Sequence, residues 1–169
     1  SVYLGGIAIE RWRAEEALEL AKFTVDHATE AIYWVSAGSE LLNVNEAACA
    51  MLGYTKEEFY RMTVPDINPN LHADTWSAYW EETRRQRGRS FESVHRTKDG
   101  RLIPVDVHVS ILTYQGSECY CAFVRDITSR KLAEEELRRS EELFRVAYRN
   151  AAVGMAICNM RGRFLKINA

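Results

Sequence analysis

The sequence has few of the residue patterns that mark enzymes and metal sites. It contains four cysteines, Cys49, Cys119, Cys121 and Cys158. None of them forms a CxxC pair, which removes the usual support for a zinc knuckle or a thioredoxin-like site. A glycine-rich phosphate loop, HExxH and GxSxG are also missing from the sequence. These absences disfavour an enzyme, and they predict free thiols in a reducing cytoplasm rather than a disulfide framework.

Long apolar runs and an excess of one charge are missing as well. Residues 1–9 are apolar but too few to span a bilayer, which takes about 20 residues, and no basic region precedes them as in a signal peptide. They either begin an ordinary helix or end an upstream membrane helix, which the following "ERWR" would suit. The net charge of −2 gives no general attraction for nucleic acid or an anionic membrane. We therefore expect a cytoplasmic chain that meets a membrane only through a possible upstream segment.

What is present is an ordinary globular composition, with 47% hydrophobic and 27% charged residues. The segments "AIYWVS" (31–36) and "ELLNVN" (40–45) predict a hairpin across "AGS". Asn45 is suited to cap a short helix, and Thr55 with Glu58 fits the capping box of another. The length suits one domain with attachments.

The second part of this domain reads as one longer helix followed by three strands. "VPDINPN" holds two prolines and should be irregular, whereas residues 73–88 fit an amphipathic helix ended by Gly88. "SFESVHRT" pairs with "RLIPVDVHVSIL" across "KDG", Pro104 should lie at the strand's beginning, and "SECYCAFVRDIT" is the last strand. The predicted fold is α+β, an antiparallel sheet with its helices on one face. In "VDVHVSI" one face carries Val105, Val107, Val109 and Ile111, and the other carries Asp106, His108 and Ser110.

Three segments in this order resemble a PAS domain with its C-terminal PAC half: "NEAACAMLGYTKEEF", "RTKDGRLIPVDVHVS" and "CAFVRDIT". The resemblance implies a five-stranded antiparallel sheet whose helices enclose a small cavity. Such domains sense a ligand or redox state, dimerise, and signal through helices to an output domain, here expected to be a histidine kinase or diguanylate cyclase of a bacterial sensor or two-component system. The expected parts are a linker helix (1–22), a PAS/PAC domain (23–128), a coiled-coil linker helix (129–147) and the incomplete start of a second PAS domain (148–169).

Self-comparison shows a repeat that supports this division. "LLNVNEA" (41–47) is echoed by "FLKINA" (164–169), so the chain reads as helix, domain, helix and the opening of a second copy. The helices share apolar positions at spacings of 4, 3 and 4, which is the a/d pattern of a helix–helix seam. We expect a homodimer through this seam, with a single solvated helix as the alternative. The seam consists of Ala14, Leu18, Ala21 and Val25, which recur 119 residues later as Ala133, Leu137, Ser140 and Phe144.

The resemblance also indicates where a ligand would bind. His95 falls where flavin-binding relatives contact the isoalloxazine ring. A histidine beside aromatic groups can hydrogen-bond a small polar ligand or change charge near neutral pH, and the alternative is a structural histidine. The candidate lining is Trp34, Phe91, Ser93, His95, Val105, Val107, Tyr120, Ala122 and Val124.

The cofactor is left open by the sequence, which requires none and suits a small metabolite better than haem or flavin. His72 lies near where haem-binding relatives carry their axial ligand, but a surface role is the simpler interpretation. A light-oxygen-voltage site would need a cysteine in "VPDINPNLH", which has none. Cys119 and Cys121 share a strand face, but two ligands do not make a structural zinc site, so no metal is expected. His27 is taken as structural.

The motif "DIT" resembles the signal-transfer motif of the family. The resemblance implies that Asp126 ends the last strand, that Ile127 packs at the junction and that Thr128 caps the exit helix. The alternative is a well-capped boundary without a signalling role. Two further functions stay open, a ligand-free PAS dimerisation scaffold and a haem- or flavin-binding sensor.

Overall fold

The computed structural model describes residues 2–114, 116–150, 154 and 156–167, without the side chains of residues 2–11, 14, 114, 157 and 166. The chain divides into two compact units, residues 1–127 and residues 128–169. The first unit contains α1 (Val2–Asp26), β1 (Ala31–Ser36), β2 (Leu41–Val44), α2 (Glu46–Leu52), α3 (Lys56–Phe59), α4 (Val64–Ile67), α5 (Trp76–Gln86), β3 (Gly88–Arg96), β4 (Leu102–Tyr114) and β5 (Ser117–Asp126). The second contains α6 (Thr128–Arg149), β6 (Ala156–Cys158) and β7 (Phe164–Ile167).

The five strands of the first unit form one antiparallel sheet in the order β2-β1-β5-β4-β3. The alternation in β4 follows the prediction, because Val105, Val107 and Val109 are buried while Asp106 and His108 are exposed. The core lies between this inner face and the helices α2 to α5. The predicted α+β fold, with a five-stranded antiparallel sheet, is confirmed.

The two predicted capping motifs are present in the structure. The Asn45 side chain accepts from the Ala48 N–H at the start of α2, and Thr55 forms a capping box with Glu58 at the start of α3. The irregular path predicted for "VPDINPN" is only partly correct, because its first four residues form α4. Pro65 is tolerated there since the first-turn N–H groups of a helix have no partner within the helix.

The helix predicted over residues 73–88 is shorter in the structure. α5 ends at Gln86, and the left-handed residue that follows is Arg87, with φ of 57°. Gly88 begins β3 with φ of 126°, and a Cβ there would lie 2.5 Å from the carbonyl oxygen of Val109. Glycine is therefore required by the close approach of β4 as well as by the turn.

The end of α1 is tied to the domain by the buried side chain of Asn45. Its Oδ1 accepts from the N–H groups of Ile32 (2.9 Å) and Ala48 (3.0 Å). Its Nδ2 donates to the carbonyl oxygens of Val25 (3.0 Å) and Glu30 (2.9 Å). One side chain thus joins α1, the connecting segment, β1 and α2.

The β6–β7 hairpin has the same construction as the β1–β2 hairpin. Tyr33 pairs with Val44 and Ala156 pairs with Ile167, and each member of the second pair lies 123 positions after its counterpart. Both hairpins contain an irregularity in the register at equivalent positions of their first strand. The echo between the two sequences therefore reflects the same backbone structure.

The turns of the two hairpins also match. The side chains of Ser36 and Asn159 each accept from the backbone N–H groups two and four residues further on. Ser39 and Gly162 both take the left-handed conformation, with φ of 78° and 76°. The two turns therefore have the same two features, a side-chain acceptor at the first residue and a left-handed residue three positions later.

Candidate functional site

A cavity of about 40 Å³ lies between the inner face of the sheet and the helices α4 and α5. Aromatic and aliphatic side chains make up most of its wall. The lining residues are Tyr33, Val35, Leu41, Val64, Ile67, Asn68, Leu71, Trp76, Tyr79, Phe91, His95, Val107, Val109, Tyr120, Ala122 and Val124.

The structure brings most of the predicted lining residues together. Val105 is fully buried in the neighbouring core, and Ser93 accepts a hydrogen bond of 3.1 Å from the lining residue Asn68. Ser93 therefore supports the wall of the cavity. The predicted residues that line the cavity are Phe91, His95, Val107, Tyr120, Ala122 and Val124.

The prediction for Trp34 is wrong. Side chains alternate along β1, and Tyr33 and Val35 face the cavity. Trp34 lies on the opposite face of the sheet, in a groove that it shares with Leu42 and Tyr60. Tyr33 is the functional candidate that the sequence interpretation missed, and counting from the last strand would have found it, because Tyr33 pairs with the lining residue Ala122.

Two polar side chains of the wall have a buried atom without a hydrogen bond. Tyr33 is 2% exposed and His95 5% exposed. Among the side chains that the structure describes, the buried atoms without a hydrogen-bond partner include Tyr33 Oη and His95 Nδ1 of the wall, and Nε of Arg89 beside it. Their rings meet edge to face, with centroids 6.1 Å apart. Such unpaired buried groups are unusual and need a physical explanation.

Burial fixes the charge of both groups. It raises the pKa of Tyr33 well above its usual range, and it lowers the pKa of His95 to about 4. At neutral pH the wall therefore presents a neutral phenol and a neutral imidazole. His95 faces the interior as predicted.

Two further polar groups of the wall are paired within the protein. The Tyr120 hydroxyl donates to the carbonyl oxygen of Trp80 at 2.7 Å, and the two rings stack with centroids 4.0 Å apart. Trp76 Nε1 donates to the carbonyl oxygen of Ala37 at 2.7 Å. Burial also raises the pKa of Tyr120 to about 12. These hydrogen bonds fix the aromatic part of the wall in place.

The volume limits what the cavity can hold. Pockets for drug-sized ligands measure about 300–1,000 Å³, whereas this cavity measures about 40 Å³. A haem or a flavin does not fit in this volume. His72 is exposed in the segment before α5 and lies outside the cavity wall.

The two cysteines of β5 are buried and protonated. Cys119 and Cys121 are buried on the outer face of the sheet, opposite the cavity. Burial raises the pKa of both thiols, that of Cys121 to about 11, so they stay protonated at neutral pH. Within the described residues, no group of three or more histidine, cysteine or acidic side chains is placed to hold a metal ion.

The "DIT" residues lie where β5 gives way to α6. β5 ends at Asp126, and α6 has Thr128 as its first residue. Ile127 is buried, and its N–H donates to the carbonyl oxygen of Pro104 at 3.0 Å. The strand thus ends at the residue that the motif indicated, and the cap at Thr128 and the signalling role of these residues stay predictions.

The proposed dimer seam is exposed along the single chain. Leu18 is 71% exposed, Leu137 62% and Phe144 53%. Ala21, Ala133 and Ser140 are also exposed, Val25 is half-buried, and the side chain of Ala14 lies outside the described residues.

The spacing used to align the two helices needs a correction. α1 and α6 end at Asp26 and Arg149, which are 123 positions apart, as in the hairpins. The spacing of 119 is therefore displaced by four residues, just over one turn of about 3.6 residues.

Of the helices in the described part of the chain, none combines the length and apolarity that a membrane crossing needs.

The sheet order, the covering helices and the core cavity define a class of small α+β domains. A sequence profile described as PAS domain matches residues 30–129, more than half of the chain. The chain belongs to the PAS domain family, whose members are sensory modules of signalling proteins.

Comparisons with individual proteins agree. The methyl sulfide methyltransferase-associated sensor of Methanosarcina acetivorans is 31% identical over 139 residues, which are 79% of this chain and 14% of that protein. This chain therefore spans only a small part of that relative. A PAS domain from a two-component sensor histidine kinase is 29% identical with a TM-score of 0.59, covering 67% of this chain and 98% of that one. The PAS domain of an HTR-like protein from Haloarcula marismortui is 22% identical with a TM-score of 0.67, covering 71% and 99%.

Proposed function

We propose that this chain is the input module of a larger signalling protein, in which a small ligand in the core cavity changes the position of α6. One observation carries the proposal: the strand that forms part of the cavity wall is also the strand that leads into α6. Tyr120, Ala122 and Val124 of β5 line the cavity. Asp126 ends the strand two residues later, and α6 begins at Thr128.

The proposed relay passes along β5. An occupant that displaces Ala122 or Val124 moves a strand that is hydrogen-bonded on both sides, to β1 and β4. The Ile127 N–H, bonded to Pro104 of β4, holds the residue that precedes α6 against the sheet. Small shifts in a densely packed core are passed on because such cores deform little.

A ligand is the favoured signal rather than a redox change. The thiols of Cys119 and Cys121 are buried and have raised pKa values, which makes them slow to react with oxidants. The cysteines are free, which suits the reducing cytoplasm. A haem- or flavin-binding sensor has less support, because the cavity is too small for either group.

The homodimer and the neighbouring domain belong to the same proposal. Exposed apolar side chains such as Leu18, Leu137 and Phe144 lie on the helices that flank the domain, and a second copy of the chain would cover them. The matching hairpins support the start of a second PAS domain in residues 148–169. The output domain is proposed to be a histidine kinase or a diguanylate cyclase. A ligand-free dimerisation scaffold is the alternative, and the two unpaired polar groups in the cavity favour a ligand.

The relay is tested by Asp126→Ala and Thr128→Ala in the full-length parent protein. Asp126 is exposed, so we expect the domain to stay folded while output activity no longer responds to the stimulus. Melting temperature and stimulus response are measured on the same preparations. Normal regulation in both variants would show that "DIT" is only a helix boundary.

A further inference from the structure

The cavity wall carries an incomplete hydrogen-bond pattern. Asn68 is bonded to Ser93, Tyr120 to Trp80, and Trp76 to Ala37. Tyr33 Oη and His95 Nδ1 of the described wall are buried without a hydrogen-bond partner, and both side chains are more than nine-tenths buried. Leaving a buried donor or acceptor unpaired is costly, so a molecule that pairs with them is bound favourably.

The wall also restricts the charge of that molecule. Among the described lining residues there is no aspartate, glutamate, lysine or arginine. His95 is neutral because burial holds its pKa at about 4. A charged group would have to leave water without a counter-ion, which is strongly unfavourable.

One cation lies close enough to be considered as a partner for an anionic ligand. The Arg89 guanidinium stacks on the rings of Tyr79 and Phe91, at 4.3 Å and 4.7 Å from their centroids. Both rings line the cavity, whereas Arg89 is outside the described lining. These contacts with aromatic faces satisfy part of its charge, but its Nε is itself buried without a hydrogen-bond partner, so an anionic ligand is the alternative that the experiment has to exclude.

The size of the cavity sets the scale of the molecule. A cavity needs roughly 10–15 Å³ to hold one water molecule, so a cavity of about 40 Å³ has room for a few waters or for one organic molecule of a few heavy atoms. Most of the wall is apolar, which suits a short hydrocarbon part.

We propose, resting on the proposed function, that the cavity binds a small uncharged molecule with a short apolar body and one hydroxyl or carbonyl group. The polar group pairs with Tyr33 Oη and His95 Nδ1. The apolar body packs against the aliphatic wall formed by side chains such as Val107, Ala122 and Val124.

Three test molecules of nearly equal size but different charge show whether the cavity selects by charge. They are propan-1-ol, propanoate and propylammonium. Each is titrated into the full 169-residue chain, with NMR signals of the His95 ring nitrogens and of the cavity methyl groups as the readout. We expect saturable shifts with propan-1-ol and none with the two ions. Binding of propanoate as tight as that of propan-1-ol, or no saturable shift with propan-1-ol, would overturn the inference.

Tyr33→Phe and His95→Phe each remove one of the two polar atoms. Loss of one hydrogen bond should weaken propan-1-ol binding by about 3-fold to 10-fold. Tyr33→Phe should also raise the melting temperature of the unliganded chain, because it removes an unpaired buried hydroxyl. The matched control is Tyr60→Phe, at an exposed tyrosine on the other side of the sheet, which should leave binding unchanged. Unchanged affinity in both cavity variants would contradict the assignment.

Amide exchange of α6, measured with and without propan-1-ol, shows whether the ligand class or the proposed relay is wrong. If propan-1-ol binds as expected and α6 exchange does not respond, the relay fails and the ligand class stands. If a charged molecule binds in the cavity and changes α6 exchange, the relay stands and the ligand class is wrong.

Discussion

Replacing Asn45 tests whether one buried amide holds α1 to the domain. Asn45→Ala removes all four hydrogen bonds of that side chain. Asn45→Asp keeps an acceptor for the N–H groups of Ile32 and Ala48 but loses both donors. Its carboxylate then faces the carbonyl oxygens of Val25 and Glu30. The pair of variants therefore separates the contact with α2 and β1 from the contact with α1.

The expected losses follow from the number of groups left unpaired. Each buried group without a partner costs about 1–3 kcal/mol, and Asn45 is fully buried. We expect Asn45→Ala to lower the free energy of unfolding by roughly 3–5 kcal/mol, at the upper end for single substitutions. Since typical domains have about 5–15 kcal/mol in total, the variant should fold but melt early. Asn45→Asp should lose a similar amount near neutral pH and recover part of it in acid, where protonation restores one donor.

Urea unfolding gives the free energies, and amide exchange over residues 20–26 reports whether α1 has come loose. The control is Asn70→Ala, at an exposed asparagine in the segment before α5, which should change stability by less than about 0.5 kcal/mol. A loss below about 1 kcal/mol in Asn45→Ala, or unchanged exchange at the end of α1 in both Asn45 variants, would refute the reasoning.

Three further predictions concern the sheet, the buried histidine and the flanking helix. Gly88→Ala should lower the melting temperature markedly, because its Cβ would lie 2.5 Å from the Val109 carbonyl oxygen; an unchanged melting curve would refute this. Burial lowers the pKa of His95 from 6.5 to about 4, so the folded state binds fewer protons than the unfolded state between these values. Stability should be full above about pH 6.5 and fall by up to about 1.4 kcal/mol per pH unit toward pH 4; urea unfolding at several pH values should show a shallower decline in His95→Phe. Removing residues 1–22 should weaken the proposed dimer in sedimentation experiments, and an unchanged association constant would contradict an interface through α1.

The strands and caps were predictable because their signals are local. The alternation of β4 and the capping motifs at Asn45 and Thr55 depend on residues a few positions apart. The segment "AIYWVS" is apolar on both faces, so its sequence does not say which residues point inward. That orientation depends on pairing with β5, which places Tyr33 rather than Trp34 on the cavity side of the sheet.

The sequence is enough to predict that a repeat exists, but not how many residues separate its two copies. Apolar positions with spacings of 4, 3 and 4 coincide again when one helix is shifted against the other by about one turn. The helices alone therefore do not fix the number of residues between the two copies of the repeat. The hairpins fix it through their paired irregularities and equivalent turns. The unpaired atoms of Tyr33 and His95 depend on contacts between distant segments, and no sequence pattern indicates them.

The central claim is that occupancy of the cavity is felt by α6, and hydrogen–deuterium exchange of residues 128–137 tests it most directly. We expect saturating propan-1-ol to change exchange in this segment of the full chain and to have no effect in the Tyr33→Phe/His95→Phe double variant. Bound propan-1-ol in the cavity, seen by NMR, together with unchanged exchange across residues 128–137 would contradict it.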